Sequence, residues 1–152
     1  MIWIGVDPGS RSGAYAIITD DDVMVKPWDN NAFTSDMSNV AYAYEAHKEK
    51  AFAVVEKVGA FPGQGISSTW AFAENFGYIQ GVLYAFEISF QLVPPRVWKK
   101  EFSLTSDKAK SIEVCHRLFP DVGLKRTKKS CKDDNNLAEA ILMAEYARRI
   151  GG

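Results

Sequence analysis

Three short apolar segments separated by tight turns open the chain, and this spacing constrains the fold more than any other feature. Residues 2–6, 14–19 and 23–28 are rich in β-branched and aromatic side chains, which is typical of strands. An Asp-Pro-Gly turn separates the first pair, and three consecutive aspartates separate the second. Connections this short join antiparallel neighbours, so the sequence predicts a three-stranded meander.

Strand-like and helical segments alternate over the remainder of the chain. Two further strands are predicted at residues 52–56 and 88–93, and loops at 29–34 and 121–132. Capping residues and helical periodicity predict five helices, at residues 35–50, 67–86, 95–102, 106–120 and 134–150. This order predicts a single α/β domain over residues 1–152, with a five-stranded mixed sheet and helices on both faces.

Composition argues against membrane spans, disulfide frameworks and zinc sites. No apolar run approaches the ~20 residues that cross a bilayer, so we expect a cytoplasmic protein with no membrane partner. Cys115 and Cys131 lack both CxxC spacing and framework density, which indicates reduced thiols. Two scattered histidines, His47 and His116, are too few for a zinc site and disfavour a Ser-His-Asp triad.

The net charge of −1 conceals an uneven distribution of charge along the chain. Residues 1–95 carry 5 Lys and Arg against 11 Asp and Glu, whereas residues 96–132 carry 11 against 4. Binding a polyanion beside a cation-binding carboxylate cluster would need this asymmetry. A solvated basic loop accounts for the same charges, and the sequence leaves both interpretations open.

Three acidic residues stand out by their positions. Asp7 directly follows the first predicted strand, and Glu56 closes the fourth. If these strands are neighbours, the two carboxylates meet at the sheet edge where ligands bind, which implies a shared proton or a divalent cation. Glu139 lies in an Ala-rich helix, with Asn135 and Asn136 on its face. Each acid also has an ordinary interpretation, as a turn residue, a surface ion pair or an exposed helix position.

The residues around these acids resemble the RuvC-type Holliday-junction resolvases of the RNase H-like superfamily, especially the short relatives of phages and prophages. Asp7-Pro8-Gly9 is similar to the family's opening motif, and Glu56 and Glu139 match its later acidic landmarks. Residues 55–69 are the most specific match. Actin-like kinases share Asp-x-Gly, but they need a second similar domain that 152 residues cannot supply. For a phage protein, the expected compartment is the cytoplasm of a bacterial host.

The resemblance implies an RNase H-like fold and a catalytic site in which Asp7, Glu56 and Glu139 bind metal. Two Mg²⁺ ions, for which Mn²⁺ substitutes, would assist phosphodiester hydrolysis. Lys99 matches the family's first catalytic-site lysine, and Lys108 the second, with the residue two positions further on as a competing candidate. These lysines either stabilise transition-state charge or anchor a phosphate.

The chain departs from the family pattern one helical turn before Glu139. The family has an acidic residue or a histidine there, whereas this chain has Asn135 and Asn136, with Asp134 upstream. On a regular helix Asp134 points roughly 140° away from Glu139. Two explanations are open. The chain uses Asp134 or an asparagine oxygen as its ligand, or an asparagine replaces a natural aspartate and leaves an inactive variant.

The resemblance further implies a four-way DNA junction as substrate and a twofold homodimer that nicks it symmetrically. Gly77 and Gly81 allow close backbone approach, either to a second subunit or within one subunit. The side chains expected to contact DNA are Lys57, Phe61 near the tip of the loop after the fourth strand, Arg96, Lys110, Lys125, Arg126, Lys128, Lys129 and Lys132.

Two other functions stay open at this point. One is an RNase H-like nuclease that acts on RNA hybrids or replication forks. The other is a catalytically silent protein that binds junctions, for which the two asparagines are the motivating feature.

Overall fold

The computed structural model describes residues 1–151, in which five strands form one mixed sheet of order β3-β2-β1-β4-β5. Strands β1 (Ile2–Asp7), β2 (Ala14–Ile18) and β3 (Val23–Pro27) are antiparallel, which confirms the predicted meander. Strand β4 (Ala51–Glu56) runs parallel to β1, and β5 (Ser89–Val93) runs parallel to β4. The strand that ends in Asp7 is therefore central and adjacent to the strand that ends in Glu56.

Helices cover both faces of this sheet, as predicted. They are α1 (Asn30–His47), α2 (Ile66–Ala85), α3 (Pro95–Glu101), α4 (Lys108–Leu118) and α5 (Asn135–Gly151). One core lies between the sheet and α5, with α3 and α4 beside that helix, and a second core lies between the opposite face and α1 and α2. No helix within residues 1–151 is long and apolar enough to cross a membrane.

Gly5 in the middle of β1 determines how closely α5 approaches the sheet. A Cβ atom at this position would lie 2.2 Å from the carbonyl oxygen of Ala140 and 2.3 Å from the backbone nitrogen of Ala144. Glycine is therefore required at Gly5, and the small alanines of α5 complete the close contact. This packing holds Glu139, which precedes Ala140, over the central strand.

Helix α1 begins earlier than predicted, and the prediction of a loop at residues 29–34 is wrong. Asp29 caps the helix by accepting a first-turn N–H group at 2.8 Å. Phe33 and Met37 are fully buried, and their burial outweighs the weak helix propensity of the neighbouring asparagines. The helix ends before Lys48, whose φ of 57° is left-handed. The end predicted for this helix at residue 50 is three residues too late, and the remaining predicted helix and strand ends are correct to within two residues.

Candidate active site

Asp7 and Glu56 are the last residues of adjacent parallel strands, which are paired through Val6 and Val55. The carboxyl ends of parallel neighbours meet at one sheet edge, so these two acids lie side by side. The third acid, Glu139, lies near the start of α5, and its charge also raises the pKa of Asp7. The structure thus brings together the three acids singled out in the sequence.

Asp7 is the most strongly perturbed carboxyl group of this cluster. Burial, followed by the negative charge of Glu56, raises the pKa of Asp7 from 3.8 to about 7. The backbone N–H of Gly9 donates to Oδ1 of Asp7 at 3.2 Å and, together with the ammonium group of Lys99, opposes that rise. Asp7 therefore exchanges a proton near neutral pH, a property that clusters at functional sites.

Trp98 holds Glu56 in place, a contact that the sequence did not reveal. Its indole N–H donates to Oε2 of Glu56 at 2.8 Å, and the Trp98 side chain is fully buried. Burial raises the pKa of Glu56, whereas the hydrogen bond from Trp98 and the charge of Lys99 lower it. The adjacency of Trp98 to Lys99 was visible in the sequence, but nothing local indicated a partner 42 residues away.

Glu139 is held by two side chains from two different helices. The hydroxyl of Ser111 on α4 donates to its Oε1 at 3.1 Å, and Nζ of Lys99 on α3 lies 3.2 Å from the same oxygen. Ser111 is buried and Glu139 is mostly buried, so the interpretation of Glu139 as an ordinary exposed helix residue is wrong. Ser111 is a second site residue that the sequence analysis missed.

Asp134 is already engaged as a helix cap. Its Oδ1 accepts the backbone N–H of Asn136 at 2.8 Å, and its Oδ2 accepts Nε–H of Arg126 at 2.7 Å. Burial alone would raise the pKa of Asp134, but the hydrogen bonds from Arg126 and from the helix N–H groups outweigh it and lower this pKa. Asn135 and Asn136 are half-buried one turn before the third acid, so these two amides share the helix face of the site.

The donor set is chemically suited to a hard divalent cation. Asp7, Glu56 and Glu139 offer carboxylate oxygens, which Mg²⁺ and Mn²⁺ prefer, and burial together with the charges of the other two acids raises the pKa of Asp7. Over residues 1–151, however, no three Asp, Glu, His or Cys side chains are arranged to hold a metal ion. Glu56 and Glu139 each use one carboxylate oxygen to accept a hydrogen bond, from Trp98 and from Ser111, which leaves the other oxygen of each carboxylate for a cation.

The two predicted catalytic lysines have different environments. Lys99 lies within the carboxylate cluster and pairs with the acid on α5. Lys108 is exposed at the first turn of α4, one helical turn before Ser111 and therefore on the same face. The competing candidate, Lys110, lies 3.2 Å from Glu113 on its own helix.

Most of the side chains expected to contact DNA are exposed. Lys57 directly follows β4, Phe61 in the loop after it is 65% exposed, and Arg96 lies on α3 just after β5. Four lysines of the segment before α5 are exposed, namely Lys125, Lys128, Lys129 and Lys132. The cationic groups of these side chains are therefore accessible to a ligand.

Arg126 differs from the lysines around it because its donors are already used. It bonds to Asp134 and donates from Nη2 to the backbone oxygen of Ser12 at 2.7 Å, and from Nη1 to that of Gly13 at 3.2 Å. The guanidinium group therefore ties the basic segment to the turn that follows β1. Arg126 is better described as a structural clamp than as a free DNA contact.

Helix α2 presents an exposed apolar stripe, which we define as Ile66, Trp70, Gly77, Gly81 and Tyr84. Trp70 is 74% exposed and Tyr84 is 70% exposed. A Cβ atom at either glycine would meet no other atom within 4 Å. The interpretation of these glycines as close helix–sheet packing within one subunit is therefore wrong.

Comparison with solved structures identifies the fold. No protein-family model matches the sequence, and no curated protein does. Thermus thermophilus RuvC in complex with a Holliday-junction substrate matches at 12% identity with a TM-score of 0.63, covering 99% of this chain and 96% of that one. Another Thermus thermophilus RuvC structure matches at 11% identity with a TM-score of 0.58, covering 99% and 97%.

A third match, the yeast mitochondrial Holliday-junction resolvase Ydc2, is 10% identical with a TM-score of 0.40 and covers 96% of this chain and 77% of that one. The two RuvC matches span nearly the whole of this chain and of their own chains. The resemblance inferred from the residues is thus confirmed for the architecture. The chain has the RNase H-like fold of the RuvC Holliday-junction resolvases.

Proposed function

We propose that this protein is a metal-dependent endonuclease that resolves four-way DNA junctions. The observation that carries the proposal is the convergence of Asp7, Glu56 and Glu139 at one sheet edge, with a pKa of about 7 at Asp7. Three acids in one partly buried cluster repel one another unless a proton or a cation compensates them. Because the chain shares the fold of RuvC, which has been solved with a Holliday-junction substrate, this cluster favours a four-way DNA junction as the substrate.

The carboxylates provide a site for two divalent cations. Asp7, Glu56 and Glu139 would hold them, together with an amide oxygen from Asn135 or Asn136 in place of a fourth carboxylate. When bound, such a pair of ions activates a water molecule for attack and stabilises the leaving 3′-oxygen. The protein itself would hold the three acids in fixed orientations at this partly buried edge of the sheet.

Lys99 and Lys108 serve the phosphate that is cleaved. Lys99 lies 3.2 Å from Oε1 of Glu139, so its ammonium group is already within the cluster. Lys108 lies on the same face of α4 as Ser111, whose hydroxyl donates a hydrogen bond to Glu139. Two positive charges here would stabilise the negative charge that develops on the phosphorus oxygens.

The exposed lysines before α5 bind the DNA backbone. Contacts with phosphates release counterions, so affinity falls steeply with salt and depends little on base sequence. Because Arg126 clamps this segment beside the β1–β2 turn, its lysines are held close to the carboxylate edge. Phe61 extends from the loop after β4, where its exposed ring is available to an unstacked junction base.

The exposed stripe of α2 pairs two copies of the chain. A junction presents two equivalent strands, and a twofold dimer presents two equivalent sites. If two α2 helices cross antiparallel at Gly77, residue positions that sum to 154 lie opposite each other. Trp70 of one copy then faces Tyr84 of the partner, and Ala73 faces Gly81, so bulky residues flank a glycine-lined centre.

The decisive experiment is cleavage of end-labelled junctions in Mg²⁺ and in EDTA. We expect paired nicks at symmetric positions in Mg²⁺ and no cleavage in EDTA, with forks, duplexes and RNA–DNA hybrids cut more slowly. Asp7→Asn should abolish cleavage, whereas Asp21→Asn in the exposed β2–β3 turn should not. Full activity of Asp7→Asn would refute the proposed site, and faster cleavage of an RNA hybrid would assign another substrate.

A second candidate function, a silent junction-binding protein, is favoured by Asn135 and Asn136 on the face of Glu139. It predicts tight junction binding with no product in Mg²⁺ or Mn²⁺. Asn135→Asp and Asn136→Asp separate the two functions, because one of them would then create nicking that the parent chain lacks. Cleavage by the parent chain itself would exclude the silent function.

A further inference from the structure

Each of the three clustered acids has one oxygen engaged by the protein and one without an internal hydrogen bond. Oδ1 of Asp7 accepts the N–H of Gly9 at 3.2 Å, and Oε2 of Glu56 accepts Nε1–H of Trp98 at 2.8 Å. Oε1 of Glu139 accepts the hydroxyl of a buried serine at 3.1 Å. Within residues 1–151, no internal hydrogen bond engages the second oxygen of any of these carboxylates.

The bond from Trp98 is the shortest of these, at 2.8 Å against 3.1 and 3.2 Å. Trp98 is fully buried on α3, in the core between the sheet and α5. An indole N–H only donates, and burying it without an acceptor costs free energy. Its acceptor here is charged when Glu56 is ionised, which strengthens the bond. Rotation of the Glu56 carboxylate would break this bond and leave a buried donor unpaired.

Another tryptophan of the same core shows that packing alone does not impose such a bond. Trp3 lies near the start of β1, at the opposite end from Asp7, and it is 8% exposed. Its Nε1 has no hydrogen-bond partner among residues 1–151. Both indoles belong to one core, but of the two only Trp98 has a hydrogen-bond acceptor, which is the carboxylate of Glu56.

We propose that Trp98 is a positioning residue of the carboxylate site: it holds Oε2 of Glu56 so that Glu56 offers Oε1 alone to a divalent cation. This inference rests on the proposed function, because it assumes that the acids bind a metal. Without the indole donor, Glu56 is free to rotate, and the cation loses a preset ligand. Removal of such a supporting hydrogen bond typically weakens metal affinity by about 10–100-fold.

The test compares Trp98→Phe with Trp3→Phe in the full chain. Both variants remove an indole from the same core, and we expect both to lower the melting temperature. Isothermal titration with Mn²⁺, without DNA, should give an affinity about 10–100-fold weaker for Trp98→Phe and unchanged for Trp3→Phe. Equal Mn²⁺ affinity in the two variants would overturn the positioning role of Trp98.

A subtler substitution covers the case in which Trp98→Phe fails to fold. Benzothienylalanine at position 98 keeps the shape of indole but replaces its N–H with sulfur, whereas 5-fluorotryptophan keeps the N–H. The first should weaken Mn²⁺ binding and the second should not, and equal binding by the two would refute the inference. If the parent chain binds no Mn²⁺ at all, the proposed metal-dependent function fails, and the role of Trp98 fails with it.

Discussion

Replacing Asp7 with asparagine should stabilise the metal-free protein at alkaline pH. Asn keeps an oxygen that can accept the N–H of Gly9, which now bonds to Oδ1 at 3.2 Å. It removes a negative charge that is buried and faces the charge of Glu56. The site thus carries electrostatic strain that serves binding rather than stability.

The magnitude follows from the shift in the pKa of Asp7, from 3.8 to about 7. Each pKa unit corresponds to about 1.4 kcal/mol, so ionising Asp7 in the folded state costs about 4 kcal/mol of stability above pH 7. Because the folded-state pKa is raised, stability is fully present below pH 3.8 and is lost as pH rises toward 7. Asp7→Asn should therefore match the parent chain near pH 4 and exceed it by up to about 4 kcal/mol at pH 8.

Urea unfolding in EDTA at pH 4, 6 and 8 measures this difference directly. Saturating Mg²⁺ should narrow the gap at pH 8, because a ligand that binds only the folded state stabilises the parent chain. A difference that does not vary with pH, or a variant less stable than the parent at pH 8, would refute the electrostatic reasoning.

Asp134→Asn provides a control, because its effect on stability should have the opposite sign to that of Asp7→Asn at pH 8. The pKa of Asp134 is lowered, because hydrogen bonds from Arg126 and from backbone N–H groups outweigh the effect of burial. Its contribution to stability is present above the unfolded pKa and is lost as pH falls through the folded value. This variant should be less stable than the parent at pH 8, with the difference fading toward acid pH.

Three further outcomes follow from the packing and the charges. Gly5→Ala should lower the free energy of unfolding, measured by urea unfolding, by about 3 kcal/mol or more, because its Cβ would lie 2.2 Å from the Ala140 oxygen. Unchanged stability would contradict the close approach of α5. Neutralising the charges of both Lys128 and Lys129 should reduce the slope of log affinity against log salt by about 2, for junction and duplex alike, as measured by fluorescence anisotropy. Loss of junction binding alone would argue against simple phosphate contacts. Gly77→Arg should convert the proposed dimer to a monomer in sedimentation, with unchanged helix content by circular dichroism. A persisting dimer would exclude the α2 stripe as the interface.

Much of the fold was predictable because its signals are local. Turn residues separate the first three strands, and an apolar run ending in an acid marks both β1 and β4. The start of α1 was mispredicted, because a cap at Asp29 and the burial of Phe33 decide it. Asparagine has a weak helix propensity, and tertiary packing overrode it there.

The site was predictable as a set of acids but not as a set of contacts. Their positions at strand ends and on the last helix could be read from the order of elements. The donors that hold them, Trp98 and Ser111, lie 42 and 28 residues from Glu56 and Glu139, and no local pattern encodes such pairs. Arg126 looked like one cation in a basic run, yet it bonds to a backbone oxygen 114 residues away.

The amino-acid sequence by itself determined the meander, the alternation of strands and helices, and the acids that end β1 and β4. Those features depend on periodicity and turn chemistry, which act over a few neighbouring residues. Only the tertiary structure decided which oxygen of each acid is engaged, that Arg126 is a clamp, and that the glycines of α2 face outward. These properties arise when distant segments pack together, because burial and hydrogen-bond partners are set by the whole fold rather than by adjacent residues.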